Sequence, residues 1–421
     1  MPQTITEKIF SAHCGYKAKA GDIVDSPIDM VIGNDITTPI SIKAFRQSGA
    51  KKLANPQGFA IVMDHYIPAK DIMSANQAKI SREFAYEHDL ANFFDEKDMG
   101  IEHALIPQKG LVIPGDVIIG ADSHTCTHGA LGAFSTGMGS TDLAYAMITG
   151  KNWFKVPKSI KVIFKNRPNE HIYGKDLILE LIGQIGVDGA LYQALEFCGD
   201  SLKYLDMDSR FSLCNMAIEA GAKNGIIAVD EITKEFLKGR DLRAEPKLYY
   251  SDEGASYERV IEIDTAKLEP VIAYPFLPSN TKNISQALKD DIAVDQAFIG
   301  SCTNGRLSDL RIAAKILKGK RVAKKTRLII TPATQQIALA AQKEGLMDIF
   351  VEAGALVSNP TCGACLGGYM GILGANESCI STTNRNFIGR MGDRTSKVYL
   401  ANSAVVAASA IAGKIADPRE L

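Results

Sequence analysis

The chain has 421 residues, of which 46% are hydrophobic and 23% charged, and its formal net charge is −1 at pH 7. Such a length allows about three ordinary domains, and such a composition is that of a folded protein with a large buried core. The charge balance argues against a nucleic-acid or anionic-membrane partner, because both attract chains with an excess of positive charge.

The sequence predicts neither secretion nor membrane insertion. The first residues lack the basic-then-apolar order of a signal peptide. The most apolar late stretch, residues 401–417, is too short and too rich in Ala and Ser to span a bilayer, so we expect a buried helix there. Eight cysteines scattered along such a chain indicate a reducing compartment. These features predict a cytoplasmic protein without a disulfide framework.

Apolar, β-rich runs alternate with helical patterns along the chain, which predicts an α/β fold. Four of these runs end in a polar, Gly-rich loop that leads into helix-forming residues: 116–134, 296–317, 327–342 and 354–368. In open α/β sheets, ligands bind at the loops beyond the carboxyl ends of the strands. The chemically unusual residues fall in such loops: Asp122, His124, Cys302, Cys362 and Cys365.

Two breaks divide the chain into three predicted α/β domains. Residues 155–170 change from a Gly-rich helical pattern to a strand and turn, and residues 274–286 form a linker rich in Pro, Ser and Asn. We therefore expect a first domain (1–158) with the His and Asp loops and a second domain (159–280). A third domain (281–421) would carry the cysteines.

The cysteines are the first candidates for a metal site. Cys362 and Cys365 lie three positions apart in NPTCGACLGG, and Cys302 lies earlier, in GSCTNGR. Such spacing suits a redox disulfide, part of a zinc site or part of an iron–sulfur site. Three thiolates are one short of a closed structural zinc site, but they suit a [4Fe–4S] cluster with one iron left open. Spacing alone leaves the three alternatives open.

Three histidines stand near carboxylates. His65 directly follows Asp64, His124 lies two residues after Asp122, and His103 lies in GIEHALIP. A carboxylate on one imidazole nitrogen fixes the tautomer and favours the protonated ring, as a general acid requires. These residues are therefore candidates for acid–base catalysis.

The segment TCTH allows a rival interpretation. His124, Cys126 and His128 alternate in sequence, so in a strand they would share one face and form part of a zinc site. Five consecutive residues rarely supply three good ligands, and no fourth ligand is evident. Zinc is therefore the lesser alternative here.

Five motifs in this order resemble those of the aconitase superfamily: MDH, GADSHT, GSCTNGR, NPTCGACLGG and TTNRNFIGR. The similarity is to the large-subunit branch, that of the two-subunit isopropylmalate isomerases (3-isopropylmalate dehydratases) and homoaconitases. It covers nearly the whole chain. The resemblance implies the first three α/β domains of that fold, packed around one [4Fe–4S] cluster with an open iron site. Its ligands would be Cys302, Cys362 and Cys365.

The resemblance also implies roles for individual residues. It pairs Asp64 with His65, Asp122 with His103 and His124 with Glu219, and it makes His65 the proton donor to a departing hydroxyl. Substrate-binding positions fall on Ser123, Asn304, Arg385, Arg390 and Asn34, the last at a position where aconitases carry Gln. Two further residues, Asn215 and Asn384, fall in the cluster environment.

The reaction implied is dehydration and rehydration of a small hydroxy-dicarboxylic acid, with isopropylmalate in leucine biosynthesis as the expected substrate. Alternatives are homoaconitase and a 2,3-dimethylmalate or citraconate-type hydratase. A cluster-free RNA-binding regulator is the non-enzymatic alternative, which the charge balance disfavours. Longer single-chain members have a swivelling fourth domain with a serine base. We therefore expect a separate small subunit to supply that domain, and this chain to be inactive alone.

Overall fold

The computed structural model describes residues 1–421, which form two compact units. Unit 1 comprises residues 1–164, 190–203 and 214–263, and unit 2 comprises residues 165–189, 204–213 and 264–421. Each unit is built on parallel β-sheet, which confirms the predicted α/β fold class. The three-domain division at residues 158 and 280 stays a prediction.

The strands in chain order are β1 (Ile23–Pro27), β2 (Met30–Asn34), β3 (Phe59–Val62), β4 (Asn92–Phe94), β5 (Val117–Gly120), β6 (Phe134–Gly137), β7 (Lys151–Lys155), β8 (Ser159–Lys165), β9 (Ala194–Cys198), β10 (Asn224–Ile227), β11 (Arg259–Asp264), β12 (Val271–Ala273), β13 (Thr281–Asn283), β14 (Gln296–Ile299), β15 (Arg327–Ile330), β16 (Leu356–Val357), β17 (Ser378–Ser381) and β18 (Lys397–Leu400).

The α-helices are α1 (Ile5–Cys14), α2 (Thr38–Gln47), α3 (Ile72–Glu87), α4 (Glu102–Gln108), α5 (Ser140–Thr149), α6 (Gly174–Ile185), α7 (Met207–Asn215), α8 (Glu231–Leu237), α9 (Ile284–Ala287), α10 (Leu307–Leu317), α11 (Gln335–Lys343), α12 (Leu346–Ala353) and α13 (Ser403–Ala412). The predicted late apolar helix is thus α13, which is buried along most of its length. None of these helices combines the length and apolarity that a membrane span requires.

Unit 1 contains a five-stranded parallel sheet in the order β4-β3-β2-β5-β6. Its central strands are apolar on both faces, as strands covered on both sides by helices must be. A four-stranded sheet, β10-β9-β8-β11, and the antiparallel pair β1–β7 complete the unit. Because parallel strands end at the same edge, the residues after β2, β3 and β5 are brought close together.

Unit 2 is built on one seven-stranded sheet in the order β13-β12-β18-β17-β14-β15-β16. The five strands from β18 to β16 are parallel, and β12 and β13 are antiparallel additions at one edge. Helix α10 buries one stripe at helical spacing and packs against α13: Leu310, Ala313, Ala314 and Leu317. The loops after β14 and β17 lie at one end of neighbouring strands.

Candidate functional site

The acid–base candidates of unit 1 follow the carboxyl ends of neighbouring strands. Asn34 ends β2, Asp64 and His65 come two and three residues after the end of β3, and Asp122 follows β5. The strand pairing places these loops along one edge of the sheet, where ligands bind in folds of this type. Residues distant in sequence therefore form one group of buried polar side chains.

His65 is held between two carboxylates. Its Nδ1 lies 2.6 Å from Asp64 Oδ1 and 3.5 Å from Asp35 Oδ1. The Asp35 carboxylate also accepts the backbone N–H groups of His65, at 3.0 Å, and of Tyr66, at 2.6 Å. Burial opposes the charged ring, but the two carboxylates outweigh it and raise the pKa of His65 well above its usual range. The ring is therefore an imidazolium near neutral pH.

Asp35 is a member of this group that sequence reasoning missed. It is fully buried, and its hydrogen bonds fix the backbone that carries His65. The available signal was its position in GNDITTP, directly after the strand that ends at Asn34. An acidic residue at the carboxyl end of a buried parallel strand is already a candidate for a ligand-binding edge.

Asp122 joins the other two histidines. Its Oδ1 lies 3.0 Å from His103 Nε2 and accepts the backbone N–H of His124 at 2.7 Å. His124 Nε2 in turn lies 2.9 Å from Glu219 Oε1. Burial would raise the pKa of Asp122, but the hydrogen bonds with His103 and His124 hold it well below its usual range. All three expected His–carboxylate pairs are thus within hydrogen-bond distance; their catalytic roles stay predictions.

Glu102 is a second buried acid that the sequence interpretation did not include. It is 1% exposed, its backbone N–H donates to Asp64 Oδ2 at 2.7 Å, and its Oε1 lies 3.5 Å from His103 Nε2. Burial, together with the charges of Asp64 and Asp122, raises the pKa of Glu102 well above its usual range. Glu102 therefore carries a proton near neutral pH, beside groups that are charged.

Asn34 orients this acid. Its Nδ2 donates to Glu102 Oε1 at 2.9 Å, and its Oδ1 accepts the backbone N–H groups of Ile36 at 3.1 Å and Thr37 at 3.0 Å. These contacts hold the side chain of Asn34 inside the protein, where it is 1% exposed. Its direct contact with substrate stays a prediction.

The rival zinc interpretation of TCTH rests on a strand that does not form. Residues Ser123–Leu131 are a 3₁₀-helix, in which side chains two positions apart point in different directions. His124 contacts Glu219, the Cys126 thiol lies 3.2 Å from the backbone oxygen of Asn215, and His128 Nε2 lies 3.4 Å from His103 Nδ1. The three side chains therefore do not share the face that the zinc alternative would require.

The three candidate cysteines, which lie in unit 2, are buried in loops that follow strands of its sheet. Cys302 follows β14, and Cys362 and Cys365 lie at a 3₁₀-turn, Gly363–Leu366; they are 4%, 6% and 2% exposed. Ser301, directly before Cys302, has a φ of +80°, a conformation that a serine rarely adopts and that is typical of functional loops. The loop is thus shaped to place Cys302.

Asn384, after β17, links two of these thiols. Its Nδ2 donates to Cys302 Sγ at 3.3 Å, and its Oδ1 accepts from Cys365 Sγ, also at 3.3 Å. The backbone N–H of Cys365 lies 3.3 Å from the backbone oxygen of Cys362. One amide therefore brings sulfurs from two separate loops together. Three buried, reduced thiols with a polar neighbour fit the soft-ligand requirement of an iron–sulfur cluster.

The structure places the other predicted residues as follows. Asn304 donates from Nδ2 to Ser212 Oγ at 3.1 Å and Asp309 Oδ1 at 2.9 Å, and its buried Oδ1 has no partner. Asn215 Nδ2 donates to Thr127 Oγ1 at 2.7 Å, within unit 1. Their substrate or cluster contacts stay predictions, as do those of three half-buried residues, Ser123, Arg385 and Arg390.

Comparison with known proteins identifies the family. Residues 7–413 match the Aconitase family (aconitate hydratase). The chain belongs to the aconitase family. It is 83% identical to a protein of Campylobacter fetus subsp. fetus (strain 82-40) and 76% identical to one of a Nitratiruptor species, each over the whole of both chains. Both relatives are called 3-isopropylmalate dehydratase large subunit.

A solved structure is also similar, that of Thermococcus kodakaraensis aconitase X (holo-form). It has a TM-score of 0.50 and 13% identity, covering 94% of this chain and 96% of that chain, and it shows the fold alone. The aconitase resemblance of the five motifs is thus confirmed. Membership of this family implies an iron–sulfur cluster, with which the thiols of unit 2 are compatible.

The protonated state of Glu102 makes stability depend on pH. Above about pH 4.5 the unfolded chain releases a proton that the folded chain keeps, so the free energy of unfolding falls as pH rises, by about 1.4 kcal/mol per pH unit for this group. We expect Glu102→Gln, which imitates the neutral acid, to remove that contribution between about pH 5 and about pH 7. Urea unfolding at several pH values, followed by fluorescence of Trp153 in unit 1, measures the difference.

Exposed Glu83 offers a matched control, because Glu83→Gln makes the same chemical change on the surface of α3. The control should keep the wild-type pH dependence. If Glu102→Gln also kept it, Glu102 would be ionised in the folded protein.

Proposed function

We propose that the chain is the large subunit of a 3-isopropylmalate dehydratase, a hydro-lyase that interconverts 2-isopropylmalate and 3-isopropylmalate in leucine biosynthesis. The observation that carries this proposal is identity of 74–83% over the full length of relatives with that name. The buried thiols and the His–carboxylate pairs support it, because the chain has the side chains that such a dehydration requires.

Cys302, Cys362 and Cys365 would hold one [4Fe–4S] cluster with an open iron site. When bound, such a cluster supplies a Lewis acid for the hydroxyl and a carboxylate of the substrate. The half-buried guanidinium groups of Arg385 and Arg390 would bind the carboxylates of a small hydroxy-dicarboxylic acid, since the planar fork of arginine matches a carboxylate.

His65 would donate the proton that turns the departing hydroxyl into water. Hydroxide is a poor leaving group, and a positioned acid lowers this barrier. The Asp64 and Asp35 carboxylates support this role, because they keep the imidazole protonated until the hydroxyl leaves. His124, with Asp122, would hold the hydroxyl or the released water.

A small subunit would complete the enzyme. We propose that it carries the swivelling domain and the serine base, and that it contributes much of the selection of the substrate side group. The large chain alone would then be inactive. The near-neutral charge is consistent with a cytoplasmic enzyme that binds neither nucleic acid nor membrane.

A substrate panel tests the proposed function. The full chain, prepared anaerobically with iron and sulfide, is assayed with and without the small subunit from the same organism, on isopropylmalate, homoaconitate, citraconate and dimethylmaleate. We expect the highest kcat/KM with isopropylmalate and no turnover without the partner. A preference for another acid would contradict the proposal that isopropylmalate is the substrate. Robust turnover by the large chain alone would contradict the proposal that the small subunit completes the active site.

The role of His65 predicts a specific kinetic defect. His65→Gln should lower kcat by about 10²–10⁴-fold with little change in KM, because the group acts on the leaving hydroxyl. Asp64→Asn should lower the pKa of His65, so the loss of activity at alkaline pH should begin at a lower pH than in the wild type. Measuring kcat and KM against pH in the two-subunit enzyme tests both effects.

His13 provides the control, since its Nε2 lies 2.7 Å from Asp29 Oδ2, a His–carboxylate pair elsewhere in unit 1. His13→Gln should leave the pH profile unchanged. An unaltered kcat in His65→Gln would remove this residue from the mechanism.

A further inference from the structure

Lys175 is a buried cation that no role described above uses. It lies in the first turn of α6 and is 0% exposed. Its Nζ donates to the backbone oxygens of Thr382, at 2.8 Å, and Thr383, at 2.5 Å. Both acceptors are neutral. Two neutral hydrogen bonds do not compensate for removing an ammonium group from water, so a negative charge is required nearby.

The negative groups around Lys175 identify that charge. Burial lowers the pKa of Lys175 to about 8, so the side chain stays mostly charged at neutral pH. Among the negative groups nearby, Cys365 counteracts this lowering of the pKa most strongly. Asp309 and Cys302 contribute next, and Asp176 after them. Burial raises the pKa of Asp309 to about 7 and that of Asp176 to about 6, so at neutral pH Asp309 is only partly ionised and Asp176 is mostly ionised.

Arg306, another buried cation of unit 2, has a different charge partner. Arg306 donates from Nη1 to the backbone oxygens of Cys302, at 2.7 Å, and Thr303, at 2.9 Å. It also has a carboxylate partner, Asp208, with Nε and Oδ1 4.0 Å apart. For Lys175, in contrast, the leading charge partner is the thiol of Cys365.

Lys175 is also connected to the thiols through the backbone. Thr382 and Thr383 directly precede Asn384, the residue whose amide contacts both Cys302 Sγ and Cys365 Sγ. The hydrogen bonds from Lys175 thus fix the segment that carries the bridging amide. A single side chain supplies positive charge to the thiols and anchors the loop that brings two of them together.

We propose that Lys175 is a positioning residue of the iron–sulfur site, a fixed positive charge that compensates the cluster-bound thiolates and holds the Asn384 loop. This inference rests on the proposed function, because it requires a cluster on these cysteines. A buried positive charge beside a cluster favours its reduced, more negative state and disfavours its oxidation. Lys175 should therefore raise the reduction potential and slow the loss of iron in air.

The test compares three variants of the full chain, reconstituted anaerobically with iron and sulfide. Lys175→Gln keeps an N–H donor but removes the charge, Lys175→Arg keeps the charge, and Lys343→Gln makes the neutralising change at an exposed position of α11. The readout is the reduction midpoint, from titration with redox dyes followed by electron paramagnetic resonance. Circular dichroism verifies that each variant is folded.

We expect the reduction equilibrium of Lys175→Gln to be about tenfold less favourable, which corresponds to a midpoint about 59 mV more negative for one electron. Iron should also be lost faster in air. Lys175→Arg and Lys343→Gln should stay close to wild type. If Lys175→Gln does not load a cluster, loading by Lys175→Arg still supports the role of charge, and failure of both variants contradicts it.

An unchanged midpoint in a folded, cluster-loaded Lys175→Gln variant would overturn the inference and leave the proposed function intact. A wild-type chain that assembles no cluster would instead contradict the proposed function. The two failures are therefore distinguishable in one series of samples.

Discussion

A charge removed from water must be met by an opposite charge or by several hydrogen bonds, and this requirement organises the candidate site in each unit. In unit 1 it places His65 between Asp64 and Asp35, and it ties the Asp122 carboxylate to His103. In unit 2 the same requirement applies to the buried ammonium group of Lys175, whose leading charge partner is Cys365. The loops that follow the strands are shaped by these contacts.

The acid–base groups of unit 1 differ in protonation because their surroundings differ. Two carboxylates raise the pKa of His65 well above its usual range, whereas burial lowers the pKa of His103 despite its contact with Asp122. Glu102 is kept neutral while Asp122 is kept ionised. Such separation of pKa values between neighbouring groups is how an active site holds an acid and a base at one pH.

Much of the architecture could be predicted from local sequence. Buried parallel strands are continuous apolar runs, and α13 was expected from its Ala-rich, uncharged pattern. The strand that the lesser zinc alternative required at TCTH does not form, because local hydrogen bonds favour a turn. Asp122 accepts the backbone N–H of His124, and the Thr125 hydroxyl donates to the Asp122 backbone oxygen at 2.7 Å. Such capping contacts favour a turn even where residue types alternate with the two-residue period of a strand.

The site was predictable only where motifs marked it. Asp64, His65, Asp122, His124 and the three cysteines lie in the five motifs, whereas Glu102, in a short helix, has the pattern of an ordinary solvated acid. Glu102 accepts a hydrogen bond from Asn34, which lies 68 residues earlier, and no local pattern reports that contact. The protonation of Glu102 follows from its burial and from the charges of Asp64 and Asp122, which only the folded structure brings close to it.

The central claim is that Cys302, Cys362 and Cys365 hold an iron–sulfur cluster. Its most direct test is the content of iron, acid-labile sulfide and zinc per chain in full-length protein purified without oxygen. The account predicts about four iron and about four sulfide per chain, with no zinc. Stoichiometric zinc, or protein that contains neither iron nor sulfide, would contradict it.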